Sequence, residues 1–193
     1  MWPWEHLGIG YVAYLLVRPR AWWEADRITL GALVLGTQLP DLVDKPLAWV
    51  FAVLPSGRSF AHSLFFAAAL AAVAVYAGRR YQRLDASLAL VFGDLTHLAL
   101  DAWEPYSLHQ YRQLGFLFWP LTPSPYYDEP TNLMQLIRDA MNADFDLRFF
   151  ATIAFASVLV GVFAYHVGWR APRAGRARSE REERDAREER EER

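Results

Sequence analysis

The sequence predicts an all-α integral membrane helical bundle of about five hydrophobic segments, one of them broken, with a charged C-terminal tail. Three observations carry that prediction. Hydrophobic residues make up 53% of the 193 residues, and mean hydropathy is near zero only because an Arg/Glu-rich end offsets a very apolar body. The apolar residues fall in runs that approach a bilayer core of roughly 30 Å, at about 1.5 Å of rise per helical residue. Inside those runs sit isolated His and Asp residues, which are costly in lipid and usually mark a site.

Leu7–Val17 is a short apolar run that needs its Trp-rich flank to complete a span. Ile28–Leu54 is long but interrupted by Pro40-Asp41-Leu42-Val43-Asp44-Lys45-Pro46. A helix that stops at Pro40, a polar turn and a short helix from Leu47 are predicted there. Irregular backbone at membrane depth is tolerated only where it is buried in protein or lines a wet cavity. Phe60–Gly78 is rich in Ala, Leu, Phe and Val, and Ala86–Trp103 is long enough to span but carries Asp94, His97 and Asp101. Glu104–Arg148 is a long aromatic loop, in which Leu133, Met134, Ile137 and Met141 predict an interfacial helix over Thr131–Asn142. Phe149–Trp169, free of formally charged residues, is the strongest candidate span. Residues 1–170 thus form one membrane-embedded unit. Residues 171–193 repeat Arg, Glu and Asp, cannot bury a core and are expected to be helical or disordered.

Composition excludes several classes. With no cysteine there are no disulfides or thiolate metal sites, so any metal is held by His and carboxylate. Acidic residues balance the arginines, so no nucleic-acid partner is expected. No secretory signal is expected, because nothing basic precedes the first apolar run.

Basic residues set the orientation. Arg18, Arg20 and Arg27, then Arg79, Arg80 and Arg83, then Arg170, Arg173, Arg176 and Arg178 fall on one side of a five-segment topology. That side is cytoplasmic, with the N-terminus outside and the C-terminus inside a cell (inner) membrane. On this topology His6, Asp41, Asp44, His62, His97 and Asp101 all converge on the outer side, although the arginines alone set the orientation.

His97 and Asp101, four apart, share one helix face. His and carboxylate suit Zn²⁺ first, with Mn²⁺ or Fe²⁺ as alternatives, and such a metal activates water near neutral pH. His6, Asp41, His62, His97 and Asp101 are the metal-ligand candidates. Each has a plainer reading. A packing hydrogen bond would explain His97 and Asp101, Asp41 and Asp44 suit capping of the helix from Leu47, and His6 suits an interface beside Trp2 and Trp4. Arg58 either holds an anionic group or pairs with Asp41 or Asp44. Asp94, one turn before His97, is a candidate to orient it. His109 reads equally as ligand or surface residue, and His166 as packing at the cytoplasmic end.

Taken together, Glu5-His6-Leu7, Leu39-Pro40-Asp41, Arg58-Ser59-Phe60-Ala61-His62-Ser63-Leu64, the run from Gly93 through Asp94, His97 and Asp101, and Phe118-Trp119-Pro120 resemble the YdjM-like family of LexA-regulated, membrane-bound metal-dependent hydrolases. That family usually has a second Asp two residues after the first, where this chain has Val43 and places Asp44 one later. Gly57 stands where His often precedes the Arg, and Ala61 replaces Thr. The resemblance implies that 1–170 is a membrane-embedded hydrolase domain. The His97/Asp101 spacing is also similar to zinc-dependent phospholipases C and related nucleases, an analogy that points to phosphoester bonds and, in a membrane, to a lipid substrate. In that reading Arg58 holds the anionic group, and Asp44 or Asp94 orients a ligand or accepts a proton. The rival is a non-catalytic metal carrier or scaffold in the membrane.

Overall fold

A computed structural model describes residues 3–18, 25–124 and 147–166, with a few isolated positions beyond them. Among the described residues the regular elements are all helical. They are α1 (Pro3–Val17), α2 (Arg27–Lys45) with one π-helical turn continuing it over Pro46–Val50, α3 (Leu64–Arg80), α4 (Leu84–Ser107), a 3-10 stretch (Tyr111–Phe118) and α5 (Leu147–Tyr165). The interfacial helix expected over Thr131–Asn142 and most of the tail lie outside the described residues.

Local chemistry sets the starts. The Asp26 carboxylate accepts from the Thr29 N–H at 2.8 Å and caps α2, and the Ser63 hydroxyl accepts from the Phe66 N–H at 3.1 Å and caps α3. The break expected at Pro40 does not occur. α2 runs through Pro40 to Lys45, so Asp41 and Asp44 are helical residues rather than members of a polar turn, and the expected short helix from Leu47 is the π turn. A mid-helix proline forfeits one hydrogen bond and crowds the carbonyl four residues before it, roughly 3 kcal/mol or more. Burial of Leu30, Leu33, Gly36, Thr37, Pro40, Asp41 and Asp44 along the same helix outweighs that local penalty.

α2 and α4 form the main packing pair, with α1 lying against both, α3 against α4, and α5 against α1. Glycines permit the closeness of the central pair. A Cβ on Gly36 would fall on the Leu90 carbonyl, and one on Gly93 would sit 2.6 Å from the Leu33 carbonyl. Backbones therefore touch where these two helices cross. Tyr11, Tyr14, Leu30, Leu33 and Ala89 form an apolar core toward the N-terminal end of α2 and α4.

The rest of the burial pattern is inverted. His6, His62, His97, Thr37, Asp44 and Asp94 are fully buried, while Leu16, Leu42, Val73, Tyr76 and Val158 are each more than half exposed. Among the described residues no helix is long and apolar enough to cross a membrane. The expected span Phe149–Trp169 corresponds to α5, with Trp169 outside the described residues.

Candidate metal centre

The five ligand candidates come together. α1 supplies His6, α2 supplies Asp41, the loop before α3 supplies His62, and α4 supplies His97 and Asp101. Two overlapping sets, His6/His97/Asp101 and Asp41/His62/His97, have donor atoms close enough to share an ion.

Hydrogen bonds fix how the two central imidazoles face the cluster. His62 Nδ1 lies 2.8 Å from Asp44 Oδ2, and His97 Nδ1 lies 2.8 Å from the Thr37 carbonyl. Both partners only accept, so both Nδ1 atoms carry the proton and donate it. Each Nε2 then presents a lone pair, and the two Nε2 atoms are 3.2 Å apart. Two carboxylate oxygens join them. Asp101 Oδ2 is 3.3 Å from His62 Nε2 and 3.7 Å from His97 Nε2. Asp41 Oδ1 is 3.5 and 3.8 Å from the same two atoms. Four donors on a tetrahedral Zn²⁺ at about 2.0–2.1 Å stand about 3.4 Å from one another. The triad Asp41, His62 and His97, with separations of 3.2–3.8 Å, therefore fits a divalent cation in spacing and in donor type, and Asp101 lies at similar range from both imidazoles.

The surroundings trim this set. His6 Nε2 is 3.2 Å from Asp101 Oδ1, and the His6 ring stacks on His97 with centroids 4.0 Å apart. Lys45 Nζ donates to Asp41 Oδ2 at 2.6 Å, and Arg58 Nε donates to Asp101 Oδ2 at 3.0 Å. Arg58 thus pairs with Asp101, not with the Asp41 or Asp44 expected from the sequence. The reason is topological: α4 lies beside the loop that carries Arg58, while Asp44 is wholly engaged by the loop's backbone. Its carboxylate accepts from the N–H groups of Ser59, Ala61 and His62 at 2.8, 2.8 and 3.2 Å, besides the His62 ring. Asp44 is therefore a loop clamp and imidazole anchor. It does not cap the turn after it.

Asp94 does not orient His97, whose Nδ1 is taken by the Thr37 carbonyl. It is buried, and neither carboxylate oxygen has a hydrogen-bond partner among the described residues. Such groups are rare and call for an explanation. His109 is exposed beside Tyr111, away from the cluster. His166 is buried with its Nδ1 2.8 Å from the Tyr11 hydroxyl, which agrees with a packing role.

A wall closes over the loop. Phe116 of the 3-10 stretch meets the His62 ring edge-on at 6.2 Å, Trp119 meets Phe60 at 6.1 Å, and Ser124 Oγ donates to the Arg58 carbonyl at 2.7 Å. The motif Phe118-Trp119-Pro120 thus lies in the segment that holds the His62 loop in place.

The model of the YdjM inner membrane protein family matches residues 1–175. The chain belongs to that family. No curated protein and no solved structure matches it. The residues that carried the resemblance from the N-terminal His to the Trp-Pro pair are those that line or support the cluster in this family member. Thr37 escaped sequence reading because it acts through its backbone carbonyl, which any residue could supply. Lys45 was within reach, since it is the chain's one lysine and lies four residues after Asp41.

Proposed function

We propose that this YdjM-family protein is a membrane-embedded hydrolase that uses one divalent cation, Zn²⁺ first, to cleave a phosphoester in a lipid. The observation that carries the reading is the convergence of donor atoms from Asp41, His62 and His97 at separations of 3.2–3.8 Å, with Asp101 beside both imidazoles and both imidazoles anchored through Nδ1. Bound there, a divalent cation supplies a Lewis acid and lowers the pKa of water toward neutrality. The chain's own residues do the rest. Asp44 and Thr37 hold the imidazoles in the ligand tautomer, and His6 and Arg58 position Asp101. Arg58 places a guanidinium beside the centre where a phosphate can meet it. Asp94, buried with no hydrogen-bond partner among the described residues, is the carboxylate left to take a proton.

Membrane embedding is supported by the family and by the burial pattern, in which His and Asp are buried while many large apolar side chains lie on the outside. The topology rests on the arginines. Arg83 donates to Asp26 at 2.6 Å, so the turns before α2 and α4 meet at one end of the bundle, and the His/Asp cluster lies at the other. The rival carrier would need polar groups continuing toward the arginine end. Toward that end Leu30, Leu33 and Ala89 pack with Tyr11 and Tyr14, and the polar groups buried there among the described residues are the Tyr11–His166 pair and Thr29, which is bonded to Asp85.

The test is metal analysis and turnover on one preparation. Protein in mild detergent should carry about one equivalent of Zn²⁺ or Mn²⁺ and hydrolyse phospholipid or phosphodiester in mixed micelles. Protein that neither carries nor takes up metal refutes the reading, and bound metal without hydrolysis of any substrate favours the scaffold.

A further inference from the structure

Each side chain of the centre turns one atom inward and has its other polar atom engaged elsewhere. His62 and His97 spend Nδ1 on Asp44 and on the Thr37 carbonyl. Asp101 turns Oδ2 toward the imidazoles, where Arg58 Nε also reaches it at 3.0 Å, and its Oδ1 lies 3.2 Å from His6 Nε2. Asp41 turns Oδ1 toward His62 and His97, and its Oδ2 accepts from Lys45 Nζ at 2.6 Å. An imidazole protonated at Nδ1 has only Nε2 to give. A carboxylate differs, because it can bind one ion through either or both of its oxygens. How many donor atoms the centre offers is therefore decided at its carboxylates, and at Asp41 the deciding partner is Lys45.

We propose that Lys45 selects the cation. By holding Oδ2 it limits Asp41 to one donor oxygen, which keeps the centre for a small tetrahedral ion such as Zn²⁺ and against an ion such as Mn²⁺ that takes about six oxygen-rich ligands. The inference rests on the metal-binding part of the reading above, and not on hydrolysis. The pair is well held. It is short and charge-assisted, and the acid precedes the base by four residues on α2, the favourable order on a helix. Lys45 Nζ also lies 5.6 Å from the centroid of the Trp49 ring, within cation–π range, so a second attraction keeps the ammonium in place. An ion pair of this spacing on an ordinary helix surface does little beyond steadying the helix. Here the Asp41 side chain is only 10% exposed, and its other oxygen faces two imidazoles. Lys45 is thus a positioning residue, acting on the ion through Asp41.

The experiment uses the full chain in detergent, stripped of metal, as parent, Lys45→Met and Lys45→Arg. Affinities for Zn²⁺ and for Mn²⁺ are measured by competitive titration against a chelating dye, with melting temperature on the same samples. Methionine keeps an apolar stem of similar length and removes the charge and the donors, and arginine restores both. Loss of a positive charge strengthens binding of the two ions alike, so the readout is the ratio of the Zn²⁺ to the Mn²⁺ affinity. That ratio should fall by about tenfold or more in Lys45→Met, since ligand number and charge tune such sites over orders of magnitude, and should return near the parent value in Lys45→Arg. Equal gains for both ions in Lys45→Met would overturn the proposal, leaving only a charge effect. A lowered melting temperature with both affinities unmoved would overturn it too, as a pair that serves the helix alone. A parent that takes up neither ion would refute the centre itself and the hydrolase reading with it, whereas an unchanged ratio on protein that binds metal removes only the selection by Lys45.

Discussion

Asp44→Asn is the most informative single change, because it alters charge and donor pattern while keeping shape. Asp44 is fully buried and accepts four hydrogen bonds, one through Oδ1 from Ala61 and three through Oδ2 from Ser59, His62 N–H and the His62 ring. Asparagine has one acceptor oxygen and one NH₂ group. Placing its oxygen where Oδ2 was keeps three bonds and turns the NH₂ against the Ala61 N–H. Each kept bond drops from charge-assisted to neutral strength, a loss of about 1 kcal/mol, and the stranded N–H costs about 1–3 kcal/mol. The sum is about 4–6 kcal/mol, a large part of a typical total of about 5–15 kcal/mol. It falls first on the loop that carries Arg58 and His62. Loss of the carboxylate behind a His ligand should also weaken metal binding by about 10–100-fold. Thermal unfolding in detergent and competitive metal titration read the two effects separately. An Asp44→Asn protein with unchanged melting temperature and metal affinity within twofold of the parent would refute the clamp.

Three further outcomes follow from the same geometry. His97→Ala and Asp101→Ala should each strip most of the metal in elemental analysis, whereas His109→Ala, outside the cluster, should retain it. Cysteines placed at Ser107 and Ser179 should report topology, since the chain has none of its own: an impermeant thiol reagent on intact cells should modify position 107 only, and modification of 179 alone would invert the assigned orientation. Gly36→Ala should destabilise by about 1–3 kcal/mol through overpacking, because its Cβ would meet the Leu90 backbone carbonyl rather than a movable side chain; an unchanged melting temperature would show that the helices can part there.

The helical fold class and the membership of the cluster were legible because both depend on residue type and period. Apolar runs gave the helices, and buried-prone His and Asp at one end gave His6, Asp41, His62, His97 and Asp101. What could not be read was anything decided by backbone contact. The continuity of α2 through Pro40 depends on packing against α4, which outweighs a local rule. Arg58 pairs with Asp101 rather than with Asp41 or Asp44, because its partner is decided by loop placement, not by spacing. The part played by Thr37 has no side-chain signature at all. Asp44 looked like a cap or a group that orients a ligand or takes a proton; it anchors the His62 ring, and its other partners are three amide groups fifteen to eighteen residues away.

The glycine contact between α2 and α4 acts as a fulcrum. Asp41 lies five residues beyond Gly36 and His97 four beyond Gly93, so their arms are about 7.5 and 6 Å along the axis at 1.5 Å per residue. Rocking the two helices by about 5° would swing these ligands by roughly 0.5–0.7 Å, close to the tolerance of about 0.5 Å that a working site allows. Asp101, a turn farther out on the lever, is the ligand that Arg58 and His6 tether from two sides. The tethers on Asp101 thus sit where the arm is long, and at the opposite end of the lever Arg83 ties the start of α4 to Asp26 at the start of α2, so both ends of the crossing are held.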